Sequence, residues 1–168
     1  RPKHVFADQP RRRAGIKPVT TDEKWMADAL RLARRGWGRT SPNPLVGAVV
    51  VRGNVAVGRG YHHAAGTPHA EVHALHKAGQ KARGATLYVT LEPCSTTGRT
   101  PPCTEAILNS GITRVVIGAV DPNPRHAGRA GRILQDAGVE VIAGVREEAC
   151  KELNESFFKW ITTGKPFV

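Results

Sequence analysis

Apolar and polar positions change period several times along the chain, and each change marks an element. Met26, Ala29, Leu30 and Ala33 recur at i, i+3, i+4 and i+7, the stripe of a helix with one buried face. Thr20 and Glu23 stand ahead of that stripe at capping-box spacing, and Gly36 ends it. Ser41-Pro42-Asn43-Pro44 reads as a rigid loop. Residues 45–51 and 55–61 are β-branched apolar runs, and Arg52-Gly53-Asn54 between them predicts a tight hairpin. Beyond a loop over 62–68, the pattern predicts a short helix over 69–78, a strand over 85–90, a loop over 92–102 and a helix over 103–110 stopped by Gly111. A strand over 114–120 ends at Asp121-Pro122-Asn123-Pro124. A helix to Ala137, a short strand over 140–143 and a last helix over 146–162 complete the order. The sequence α-β-β-α-β-α-β-α-β-α, a hairpin followed by β–α units, predicts the α/β class. The expected fold is a three-layer α/β/α sandwich with a mixed central sheet covered by helices on both faces.

Composition adds bounds. At 168 residues and 40% hydrophobic, the chain is long enough for one domain with a real core. We expect that domain over 20–168, behind a flexible basic N-terminal arm over 1–19. No apolar run approaches the roughly 20 residues that span a bilayer, and the start carries no secretory h-region. The chain begins at Arg1 rather than Met, so the native start is expected upstream. Net charge is +11, from 25 basic and 14 acidic residues, with six basic residues against Asp8 alone in the first twenty. A basic body suits a phosphate ester or nucleic acid, and equally suits plain solubility; charge alone does not choose. Arg11-Arg12-Arg13 is short enough to be a disordered extension, with organellar targeting or nucleic-acid contact as the alternatives.

Three cysteines are too few for a disulfide scaffold. Cys150 falls on an apolar stripe with Leu153 and Phe157 and reads as a core thiol. The other two belong with a histidine. His69-Ala70-Glu71 is followed by Pro93-Cys94 and Pro102-Cys103, a pattern of H-x-E then P-C…C that marks zinc-dependent nucleobase deaminases. His69, Cys94 and Cys103 offer one nitrogen and two sulfurs to a zinc ion, leaving the fourth position for water, with Glu71 as the proton shuttle. Such ligands need reduced thiols, which favours a reducing compartment. His69 and Glu71 are two residues apart and converge only in the first turn of a helix. Cys103 opens another helix, whose N-terminus should favour its thiolate. A purely structural zinc site would need a fourth ligand, for which His62, His63 and His73 are at hand.

Eight residues separate Cys94 from Cys103, where the common form of the motif has two. With Thr40-Ser41-Pro42-Asn43-Pro44, Thr90-Leu91-Glu92-Pro93-Cys94, Gly98-Arg99-Thr100-Pro101-Pro102-Cys103, Asp121-Pro122-Asn123-Pro124 and Leu153-Asn154 ahead of Phe157-Phe158, residues 22–168 resemble the deaminase domain of the RibD family of riboflavin-biosynthesis enzymes. The resemblance implies a cytidine-deaminase-like fold. It also implies a zinc-dependent hydrolase that removes the 2-amino group of 2,5-diamino-6-(5-phosphoribosylamino)pyrimidin-4(3H)-one. By matching positions, Asn43 and His62 are implied substrate contacts, with His63 adjacent; Arg99 would face the phosphate; Asp121 and Asn123 would lie near ribose and base. Asn43 and Asn123 also suit turns, and Arg99 a solvated loop. Thr96 stands where relatives carry a histidine, so substrate affinity or orientation can differ.

The family often continues into an NADPH-dependent reductase domain. The chain stops where that domain would begin and has no glycine-rich dinucleotide fingerprint, so a monofunctional deaminase or the deaminase part of a longer protein is expected. The implied partners are the phosphorylated diaminopyrimidine, a reductase in the same or a separate polypeptide, and a second copy in a homo-oligomer. Neither membrane nor nucleic acid is expected. The implied location is cytoplasmic, or organellar if the basic arm is a targeting remnant. Two competitors remain: a tRNA or nucleobase deaminase with the same zinc chemistry, and a non-catalytic binding subunit on the same scaffold.

Overall fold

A computed structural model of the chain describes residues 18–98 and 100–165. Most of the N-terminal arm and Arg99 therefore lie outside the described residues. Helix α1 is Thr21–Ala33, β1 Gly47–Arg52, β2 Val55–Tyr61, α2 Ala70–Ala78, β3 Thr86–Leu91, α3 Cys103–Ser110, β4 Arg114–Ala119, α4 Arg129–Asp136, β5 Glu140–Ala143, α5 Glu147–Leu153 and α6 Glu155–Thr163.

The capping box forms: Thr20 Oγ1 accepts the Glu23 N–H at 3.2 Å and Glu23 Oε2 accepts the Thr20 N–H at 2.7 Å. The hairpin turns on Gly53 and Asn54, both at positive φ, the backbone a two-residue turn needs to match strand twist. The five strands make one sheet in the order β2-β1-β3-β4-β5. β1 pairs antiparallel with β2 and β3, whereas β3, β4 and β5 run parallel.

Strand residues alternate between two cores, as period-two pleating requires. Ala48, Val50, Leu87, Val89, Val115 and Ile117 face α2, α3 and α4. Val49, Val51, Tyr88 and Val116 face α1, α5 and α6 through Met26, Leu30, Cys150 and Phe157. The three-layer sandwich and the buried Cys150 are both as expected. One helix lies unusually close to the sheet: a Cβ on Gly58 or Gly60 would collide with the carbonyls of Ala74 and Ala70, so glycine and alanine together let α2 lie flat on β2.

The chain's last helix is a correction. It is two helices, α5 and α6, broken at Asn154 (φ −116°, ψ 27°). The Asn154 amide is buried and bonds both backbone groups of Leu45, accepting its N–H at 2.7 Å and donating to its carbonyl at 2.8 Å. The same bonds explain why β1 starts at Gly47 rather than at residue 45: Leu45 has no backbone group left for the ladder. No helix among the described residues is long and apolar enough to cross a membrane.

Candidate active site

The site lies at the carboxyl ends of β3 and β4, where open α/β sheets commonly bind ligands. α2 begins at Ala70, so His69 is its N-cap with extended backbone (φ −73°, ψ 163°), and Glu71 follows inside the first turn. That change of direction brings two side chains of opposite helical faces to one point. α3 begins at Cys103 behind Pro102, and Cys94 sits three residues beyond the end of β3.

The donor atoms of His69, Cys94 and Cys103 lie within 4.8 Å of one another. His69 Nδ1 is 3.1 Å from Cys103 Sγ and 3.6 Å from Cys94 Sγ. Two ligands of one tetrahedral zinc stand about 3.5 Å apart, so the spacing fits. Among the described residues no other histidine, cysteine or carboxylate joins the group, and His62, His63 and His73 stay out of it. The arrangement is a three-ligand site with an open position, in a donor set soft enough for zinc.

The thiolate preference differs from expectation. The Cys103 N–H at the start of α3 donates to Cys94 Sγ at 3.1 Å, so the helix N-terminus serves the other cysteine. Hydrogen bonds from the Cys103 thiol, His69 and the Cys103 amide, partly opposed by burial, take Cys94 down to about 4. Cys103, as donor to that thiolate and itself buried, is pushed up, and His69 is raised by its bond to Cys94.

Glu71 is 3% exposed, and its Oε2 has no hydrogen-bond partner among the described residues. Burial raises it from 4.5 to about 7. It lines a cavity of about 240 Å³ with His69, Cys94, Asn43, Asp121 and Phe157. A second cavity of about 430 Å³ shares Asn43, His69 and Cys94 and runs toward Thr67, Thr96, Gly98 and Thr100. The metal ligands thus stand between a small compartment and a larger one.

The remaining predicted residues divide. Asn43 walls both cavities. His62 is only 3% exposed and lines the small cavity beside Asn43. Its Nδ1 is 3.2 Å from the Pro68 carbonyl, which can only accept, so Nε2 carries no proton and accepts from Asn43 Nδ2 at 3.2 Å. Burial holds the His62 pKa below its ordinary value, which keeps that neutral form. Asp121 walls the small cavity and accepts the Asn123 N–H at 2.8 Å. Asn123 is not part of that wall; its Oδ1 accepts the Arg125 N–H at 3.0 Å, as a turn residue's would.

Five residues of the small cavity's wall were not among the predicted site residues: Pro44, Val46, Leu91, Glu92 and Phe157. Phe157 reaches the small cavity from α6. Glu92, 6% exposed, lines it too, with its carboxylate turned onto backbone N–H groups of the 121–130 segment. The Leu-Glu-Pro-Cys run hinted at Glu92 only as a neighbour of a ligand.

Residues 19–119 match the family model of the cytidine and deoxycytidylate deaminase zinc-binding region. The chain is 57% identical over 147 residues to riboflavin biosynthesis protein RibD of Aquifex aeolicus, covering 88% of this chain and 41% of that one. Among solved structures, RibD of Acinetobacter baumannii superposes with a TM-score of 0.87 at 48% identity, over 89% of this chain and 42% of that one. A diaminohydroxyphosphoribosylaminopyrimidine deaminase/5-amino-6-(5-phosphoribosylamino)uracil reductase of Thermotoga maritima gives 0.83 at 48% identity, over 88% of this chain and 43% of that one. The chain spans about two fifths of the length of these relatives.

Proposed function

The chain belongs to the cytidine and deoxycytidylate deaminase zinc-binding family, and from that premise we propose that it deaminates a phosphoribosylated diaminopyrimidine in riboflavin biosynthesis. The reaction is hydrolysis of 2,5-diamino-6-(5-phosphoribosylamino)pyrimidin-4(3H)-one to 5-amino-6-(5-phosphoribosylamino)uracil. Water adds at C2, the bond from C2 to the amino nitrogen breaks, and ammonia leaves. The observation that carries the reading is the buried, partnerless oxygen of Glu71 in the same cavity wall as two ligands of a three-ligand site. The names of the relatives support the choice of substrate.

In this reading His69 Nδ1 and the sulfurs of Cys94 and Cys103 hold zinc. Zinc, when bound, supplies a water acidified to near neutral pH. Glu71 takes a proton from the attacking water and passes it to the ring nitrogen, then takes the proton of the new C2 hydroxyl and passes it to the departing amine. A carboxyl near 7 suits both directions of transfer. Asn43 meets the ring edge, held in one orientation by His62. Asp121 faces it from the opposite loop, while Asn123 shapes the turn that carries Asp121. The ring would occupy the smaller cavity and the phosphoribosyl group the larger, where Arg99, between Gly98 and Thr100, would grip the phosphate. The product would pass to a uracil-reducing partner, in the same polypeptide or a separate one. Zinc-binding thiolates would favour a reducing compartment, which supports a cytoplasmic or organellar location as part of this reading.

The test is ammonia release from the phosphorylated diaminopyrimidine, with and without a chelator. Zinc-dependent release that vanishes in Glu71→Ala is expected. Full activity in that variant would sink the mechanism. Release from adenosine-containing RNA, and none from the small substrate, would replace the substrate.

A further inference from the structure

Asp121 has to be held against the cavity by something, and its own segment cannot do it. Residues 121–130 carry two prolines and bond mostly among themselves: Asn123 N–H to Asp121 Oδ1, Arg125 N–H to Asn123 Oδ1, and the N–H groups of His126 and Ala127 to the Asn123 carbonyl. Among the described residues, one side chain from outside hydrogen-bonds to the backbone of this segment. Glu92 Oε2 accepts the N–H groups of Asp121 and Gly128, each at 3.0 Å, and Oε1 accepts that of Ala130 at 3.1 Å. Glu92 is itself fixed, because its N–H donates to the Ala119 carbonyl at 2.8 Å and Cys94 follows two residues later. A single carboxylate therefore closes the segment at its beginning, near its end and at the first turn of α4. The backbone answers that demand: Gly128, at φ +75°, turns its N–H inward in a conformation that favours glycine.

We propose that Glu92 is a positioning residue for the substrate, acting through Asp121. It ties the 121–130 segment to the strand that leads to Cys94, so the metal and the ring-facing carboxylate share one frame. This rests on the reading that Asp121 contacts the substrate. The carboxylate suits the task because it is acceptor-only on both oxygens. A glutamine has one acceptor and one donor end, and its NH2 would face at least one of the three N–H groups.

The experiment is a double-mutant cycle on Glu92→Gln and Asp121→Ala in ammonia release, with zinc content measured in each protein. Amide hydrogen exchange at Asp121, Gly128 and Ala130 is followed in wild type and Glu92→Gln. Glu92→Gln is expected to raise KM by about tenfold, to change kcat by less than about threefold and to retain zinc. Exchange at the three amides should quicken by about tenfold or more. The double variant should be no worse than Asp121→Ala alone. Multiplying effects in the double variant, or a fall in kcat and zinc with KM unmoved, would overturn the proposal in favour of plain stabilisation. Unchanged exchange would overturn it too, and that measurement needs no substrate. A wild type that binds zinc but releases no ammonia would instead sink the functional reading. If Glu92→Gln fails to fold, Glu92→Asp serves the same cycle: it keeps the charge, loses reach, and should show the same KM-weighted defect.

Discussion

Glu71 and Glu92 wall the same cavity and are almost equally hidden, at 3% and 6% exposure, yet their surroundings are opposite. Glu92 is given three backbone N–H groups; Glu71 has an oxygen given none. Burial disfavours a charge, and Glu71 rises to about 7 although hydrogen bonds from its own backbone and from Cys103 partly oppose the shift. Three backbone donors instead hold the Glu92 carboxylate in one place. In the proposed reading one residue type thus serves as proton carrier and as anchor, and the difference lies in which backbone groups point at it.

Three substitutions, read in four measurements, bear on that contrast. The largest effect expected is from Glu71→Gln, which should lower kcat by about 10³-fold or more while zinc stays bound, since only the shuttle is removed. Kinetics with metal analysis checks it, and a zinc-loaded variant of near-normal kcat would erase the distinction. Next comes stability of the chelator-treated, reduced protein. The folded pKa of Glu71, about 7, exceeds its ordinary 4.5, so between those values the folded state holds the extra proton. Its contribution to stability is therefore lost as pH rises from about 4.5 to 7, a cost of about 3 kcal/mol that is complete above 7. Denaturation at pH 5 and pH 8.5 should show Glu71→Gln gaining about that much on wild type at the higher pH, with other groups common to both proteins cancelling.

Glu92→Gln should go the other way, losing about 2 kcal/mol at both pH values, because N–H groups are left without an acceptor. A pH-dependent gain there would make the two glutamates alike. The smallest effect is expected from Glu23→Ala. Its carboxylate also accepts a backbone N–H, in the exposed capping box of α1, and the variant should lower the melting temperature slightly with no change in KM.

Much of this was readable beforehand, and the limits are instructive. Strands such as 114–119 announce themselves because β-branched runs between turn signals have few alternatives. The ligand trio was legible from residue type: a soft nitrogen and sulfur set near a lone H-x-E has one common use. The break at Asn154 was hidden because Cys150, Leu153 and Phe157 keep helical spacing across it, and its cause is Leu45, 109 positions away. Glu92 was hidden for the same reason. Its donors lie 29 to 38 residues downstream, and nothing local says where the carboxylate turns. How Asn43 and His62 are oriented in the wall is likewise decided by a hydrogen bond across 19 residues. Chemistry was written in residue identity; orientation was written in long-range hydrogen bonds.

The Asn154 amide also sets an order of events for a growing polypeptide. The metal ligands all lie before residue 104, so the ion's cage can assemble while later helices are still being made. The stretch that carries Asn43 cannot be pinned through Leu45 until Asn154 has been synthesised. A chain cut back ahead of that residue should therefore still take up zinc, with the Asn43 side of its cleft left slack.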